Sequence, residues 1–166
     1  MKDFISEKIN SYNSNSRLWI FQSLSLLTNN EKEIISNKLN NFFDNWDAHG
    51  KNLKSSSFFV YSNFLIVLVD SSKVSPTGCA IDKLFNKIKD IGIKINKSLI
   101  NNNFIAYKLN DSESIYFLNL FDFKKHIKDK LILDCVVFDN SISTIEQLKN
   151  SWLISIEEWR KKYINN

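Results

Sequence analysis

Cys79 is the residue in this sequence best placed to do chemistry, because it falls where a loop gives way to a helix. Free N–H groups and the dipole at a helix N-terminus favour a thiolate over a thiol. The segment around it, Asp70–Asp82 (DSSKVSPTGCAID), joins the end of an apolar strand to that helix. Thr77 or Gly78 can cap the helix, and Asp82 lies near its first turn. The same N–H groups suit an anion, so Asp70, Thr77 and Gly78 are candidate ligand- or anion-binding residues. His49, in the stretch Trp46–Gly50 (WDAHG), is the candidate base. With Asp82, Asp47 or Asp70 to orient it, a Cys–His pair would follow the logic of an activated nucleophile. The candidate catalytic set is therefore His49, Cys79 and Asp82. Each residue also has a structural reading. A first-turn cysteine is a small packed side chain, an aspartate satisfies loop donors, and a histidine suits a helix C-terminus.

Other chemistries lack their motifs. Cys79 and Cys135 have no C-x-x-C spacing, and His49 and His126 are far apart, so no zinc signature forms. With glycines only at 50, 78 and 92, the sequence contains no G-x-x-x-x-G-K-[ST] and no G-x-G-x-x-G. H-E-x-x-H and G-x-S-x-G are missing as well. No metal site and no cofactor is implied.

The elements that must position the candidates follow from periodicity. Arg17–Ser23 reads as a strand. Thr28 and Glu31 form a T-x-x-E capping box that opens a helix. Its stripe is Ile34, Ile35, Leu39, Phe42, Phe43 and Trp46, and Gly50 is placed to end it. Leu53–Tyr61 and Phe64–Val69 read as a hairpin turning at Ser62–Asn63. The second of these strands is apolar without a break, which places it centrally with both faces covered. A helix over Cys79–Ile91 follows, with Gly92 just beyond it. Further on come a hairpin (Phe104–Leu109 and Ile115–Leu120), a short helix Phe123–Lys130 capped by Asp122, and an extended stretch Leu131–Phe138. A last helical stripe runs Ile145, Leu148, Trp152, Ile156, Trp159 and Tyr163, with both tryptophans as core anchors. The predicted fold is α+β: an antiparallel sheet with two helices on one face (β-α-β-β-α) plus a smaller C-terminal hairpin and helix unit. The predicted organisation is a polar arm over 1–15, a core domain over 16–100, and a C-terminal unit over 101–166.

Composition bounds the rest. A chain of 166 residues with 43% hydrophobic content can bury a core without disulfides or metal. Asn is as frequent as Lys and Arg together, which reads as the mark of an AT-rich genome. The net charge of +4 is made of Lys rather than Arg. Lys83, Lys87 and Lys94 could give a weak RNA or phosphate surface, although Asp82 and Asp90 interrupt the run. Sparse thiols, a polar N-terminus and no apolar run long enough to span a bilayer predict a cytoplasmic protein.

Four segments resemble a small Bacteroidota family. They are Ser16–Gln22 (SRLWIFQ), Trp46–Gly50 (WDAHG), Gly78–Asp82 (GCAID), and Val136–Thr144 (VVFDNSIST) with Glu146–Trp152 after it. The resemblance covers most of the chain in order. Members are generally uncharacterised, and many carry the label "ABC transporter ATPase". Such an ATPase needs a phosphate-cradling Walker A loop, which this sequence lacks. The family motifs take in His49, Gly78, Cys79 and Asp82. They also imply a proline near Ile154–Ile156, where this chain has Ser155, so the resemblance implies a break in the final helix. Three functions compete: a non-enzymatic interaction or assembly factor with a protein partner, a small enzyme or anion-binding protein, and an RNA- or ribosome-associated protein.

Overall fold

The computed structural model describes residues 2–164. Met1 of the predicted arm lies outside the described residues. The protein is α+β with antiparallel sheets, as its sequence predicts, and it divides into two compact units. The first runs to Asn101 and includes a short return, Ser143–Glu146; the second holds Asn102–Ile142 and the residues after Glu146.

In the first unit, three strands form a sheet in the order β1 (Arg17–Gln22), β5 (Phe64–Val69), β4 (Ser55–Val60). All six residues of the central strand β5 are fully buried, which explains its unbroken apolar sequence. Side chains alternate between faces. Leu65, Val67, Val69 and Phe21 face helices α2 (Asn29–Phe43) and α3 (Gly78–Lys94), joining Ile35, Leu39, Leu84 and Ile88 in one core. The opposite face carries Phe58 and Ser56. Helix α1 (Lys2–Ile9) packs there, with the Phe4 ring 6.2 Å from that of Phe58, and Ile5 and Ile9 buried one turn apart. Just beyond α1, Tyr12 donates a hydrogen bond to Ser56 at 2.7 Å. The polar N-terminal stretch thus contains a docked helix.

The capping box at α2 forms as its sequence predicts. The Thr28 hydroxyl accepts the Glu31 N–H at 3.2 Å, and the Glu31 carboxylate accepts the Thr28 N–H at 2.7 Å. Three turn assignments change. First, α2 ends at Asp44, and Gly50 does not terminate it. Gly50 and His49 instead form the two-residue turn between β2 (Asp47–Ala48) and β3 (Lys51–Asn52), with φ of 71° and 53°. A hairpin turn of this type needs positive φ at both central residues, and glycine meets one requirement without strain. Second, the β4–β5 loop is Tyr61–Asn63. The buried Asn63 side chain bonds to the Ser23 carbonyl at 3.1 Å, and the Ser23 N–H returns a bond to the Asn63 carbonyl at 2.8 Å. Third, Gly92 lies inside α3, where a Cβ would stand 2.7 Å from the Lys97 carbonyl oxygen. Asn96, at φ 53°, provides the left-handed stop. Its N–H bonds Ile93 at 3.2 Å, and that of Lys97 bonds Gly92 at 3.0 Å.

The edge of β1 is closed by the return segment. Leu18 N–H donates to Ser143, Ile145 N–H to Ser16 and Glu146 N–H to Ser14, at 2.9, 3.2 and 2.9 Å.

In the second unit, four antiparallel strands take the order β7 (Tyr116–Asn119), β6 (Phe104–Leu109), β8 (Cys135–Phe138), β9 (Leu153–Ser155). Helices α4 (Leu120–Lys128) and α6 (Ile156–Tyr163) bury Phe123, Ile127, Ile156 and Trp159 against Tyr107, Cys135 and Val137. Asn119 rather than Asp122 caps α4, accepting the Asp122 N–H at 2.9 Å. The single final helix predicted from its stripe is two. Helix α5 (Ile145–Asn150) stops, β9 pairs with β8, and Ser155 opens α6 with a second capping box to Glu158. Both Trp152 and Trp159 are core residues, but in different settings. Trp152 packs edge-on against Phe138, and Trp159 against Phe123 at 5.0 Å.

Candidate functional site

The predicted site sits in the first unit, where the β2–β3 hairpin meets the first turns of α3. Trp46 makes the junction. Its indole N–H donates to the Ala80 carbonyl at 2.9 Å, fully buried, with the rings of Phe42, Phe43 and Trp19 around it. Asp47 accepts the Lys83 ammonium at 3.1 Å. The Lys83 bond holds the Asp47 carboxyl below its ordinary value, helped by the Gly50 N–H. Thus the segments WDAHG and GCAID, about thirty residues apart in sequence, are placed side by side.

Within this junction the candidate residues play unequal parts. Thr77 caps α3, and its hydroxyl accepts the Ala80 N–H at 3.2 Å. Asp70 serves its own loop, accepting the Ser72 N–H at 3.0 Å and the Lys54 ammonium at 3.3 Å. The Ser72 bonds, with Lys54 adding to them, lower its carboxyl pKa. Gly78 has open space around the position a Cβ would take, so packing does not demand glycine there. Cys79 and Asp82 are exposed on the first turns of α3, and His49 is exposed at the hairpin tip. Among the described residues neither His49 nor Cys79 makes a side-chain hydrogen bond. The contact of about 2.6–3.2 Å that couples a nucleophile to its base is not formed here. Cys135, the other thiol, is buried, and burial pushes its pKa up to about 11, so it stays a neutral thiol.

Lys83, Lys87 and Lys94 lie on α3. At 100° per residue they share one stripe, and Asp90 falls on the same stripe. Lys83 is the lysine engaged by Asp47. No group of three or more His, Cys, Asp or Glu that could hold a metal occurs among the described residues. Nor is any helix among them long and apolar enough to cross a membrane.

A second polar cluster, in the second unit, goes unread in the sequence. Asp139 is 3% exposed at its side chain and follows β8. One carboxylate oxygen accepts the Ser141 N–H at 3.1 Å, the Ser141 hydroxyl at 2.7 Å and the Tyr163 hydroxyl at 2.8 Å. The other accepts the Lys162 ammonium at 2.7 Å. Burial works to raise the Asp139 pKa, but the bonds from Lys162, Ser141 and Tyr163 outweigh it and leave the carboxyl below its ordinary value. Lys162 moves the other way, held protonated chiefly by Asp139. A protonated Lys162 cannot serve as a base toward Ser141, 3.5 Å away, so the cluster reads as a structural tie. Next to it, Asn140 accepts the Trp152 indole N–H at 2.9 Å. In the sequence Asp139 and Ser141 stand out only as part of the Val136–Thr144 segment, because Lys162 and Tyr163 lie more than twenty residues further on.

Open depressions among the described residues include one in each unit. One, of about 380 Å³, is lined by Lys89, Gly92, Ile93, Asn96 and their neighbours in the first unit. The other, of about 460 Å³ in the second unit, is lined by Leu109, Leu131, Leu133, Asn110, Lys130 and Asp134 among others. Neither is lined by His49, Cys79 or Asp82. Comparison with known protein families, curated proteins and solved structures finds no match.

Proposed function

We propose that the chain is a non-enzymatic interaction or assembly factor of the cytoplasm, and that it docks a protein partner through its second unit. The observation that carries this reading is the grouping of Leu109, Leu131 and Leu133 around one depression. Leu131 and Leu133 are 68% and 72% exposed. Large apolar side chains gathered on a folded surface, with polar neighbours such as Asp134 and Lys130 at the rim, mark contact sites for other proteins. ATP hydrolysis by a phosphate-cradling loop has no support in the sequence, which lacks that loop. The test is co-purification from gently lysed cells with the tagged chain. A stable partner should be recovered, and the double variant Leu131→Asp, Leu133→Asp should lose it while remaining folded by circular dichroism. Recovery of the wild-type chain only as a lone monomer overturns the reading.

A second reading has its own observation. The Trp46–Ala80 bond and the Asp47–Lys83 ion pair hold the hairpin bearing His49 beside the turn bearing Cys79. This favours a small enzyme or anion-binding protein using His49, Cys79 and Asp82, with Asp70, Thr77 and Gly78 around them. Thiol titration decides it. A Cys79 that reacts as a thiolate near neutral pH, and slows in His49→Ala, supports it; an ordinary thiol profile removes it. RNA association through Lys83, Lys87 and Lys94 would show as binding that weakens steeply with salt.

A further inference from the structure

We propose that α6 is a detachable closing helix and that the Asp139 cluster is the latch that holds it shut. Eight residues make about two turns, too few for a helix to persist alone in water, so α6 depends on its attachments. At its N-terminal end these are the Ser155–Glu158 capping box, chain continuity with β9, and the burial of Ile156 and Trp159. At its C-terminal end, Lys162 and Tyr163 reach back to Asp139 and Ser141 in the turn after β8. The latch is thus made by one carboxylate on the sheet side and two consecutive residues on the helix side. Arg160 and Lys161, on the turn before, are exposed.

What lies beneath α6 gives the device a consequence. The Trp159 ring stands edge-on to Phe123, which in turn lies 5.3 Å from Tyr107. Lifting α6 takes Trp159 with it and uncovers Phe123 and Tyr107 together with Val137. A buried carboxylate with four donors is costly to break while Lys162 stays charged, so the closed form dominates until one partner is removed.

Hydrogen exchange on the full chain near neutral pH, read by mass spectrometry, tests this. In Asp139→Asn the amides of residues 156–163 should exchange at least about tenfold faster, while those of β6 and β8 keep their wild-type rates. Tyr163→Phe removes a single donor and should give a smaller change confined to the same residues. If Asp139→Asn does not fold, Tyr163→Phe decides by the same readout. Equal acceleration of helix and sheet amides would mean the cluster supports the unit as a whole. Unchanged rates would mean it holds nothing. Either result overturns the proposal.

Discussion

The two units solve the same problem with different means. Each buries the apolar stripes of two helices on one face of an antiparallel sheet. In the first, the central strand β5 is fully buried and the ionic bonds stay near the ends of elements, as with Glu31, Asp47 and Asp70. In the second, a carboxylate is carried inside and satisfied by Lys162, Tyr163 and Ser141. Apolar burial is tolerant of detail, and its cost on mutation follows volume. A buried charge is intolerant, because each lost partner leaves another group unsatisfied.

The two units should respond differently to damage, the first to lost volume and the second to a lost charge partner. Leu84→Ala opens a cavity in the first unit and should cost about 3 kcal/mol in urea unfolding. A loss below about 1 kcal/mol would mean that this core is not the close-packed one described. Next in size is Asp139→Asn, which should lower the cost of opening α6 by about 2 kcal/mol and change how that opening depends on pH. Since the Asp139 pKa is depressed on folding, the unfolded chain binds the extra proton in acid. The carboxylate's contribution is complete above about pH 4 and is lost as pH falls through the folded value. The raised pKa of Lys162 acts at the other end. Its contribution holds below about pH 10.4 and is lost as pH rises past the folded value. The cost of opening α6, measured by amide exchange from pH 2 to 7, should therefore fall more steeply in acid for wild type than for the Asn variant. Parallel curves would remove Asp139 from the account. The smallest effect expected is Ser155→Ala, about 1 kcal/mol for a lost N-cap, measured by thermal unfolding. A neutral result would show that β9 alone sets the start of α6.

The same contrast explains what could be read in advance. Thr28–Glu31 and Ser155–Glu158 are the same capping motif, yet only the first stands out in sequence. It opens a clean stripe well separated from the strand before it. Ser155 interrupts a run whose apolar positions stay in helical phase from Ile145 to Tyr163, and a three-residue strand is too short to disturb that phase. Gly50 and Gly92 were legible as punctuation but not as to kind. One closes a hairpin, and the other makes room for the Lys97 backbone. For the candidate site, Thr77 as cap and the first-turn position of Cys79 follow from local pattern, whereas the exposure of Cys79 departs from the packed side chain expected there. The docking of Trp46 on Ala80 does not, because an indole donor and a backbone acceptor leave no mark on spacing. The Asp139 cluster is hidden for the same reason: it is assembled by tertiary contact alone.

The closure of β1 by Ser143–Glu146 bears on how the chain is made. During synthesis the residues up to Asn101 leave the ribosome first, with the β1 edge still open at Arg17 and Leu18. The segment that covers it arrives some forty residues later, after β6, β7 and β8 have been translated. For that interval the nascent chain presents an unpaired strand edge beside an apolar sheet, the kind of surface on which chains associate wrongly. A chain cut at Asn101 would keep that edge permanently. The vulnerable moment in this protein's life therefore precedes its folded state.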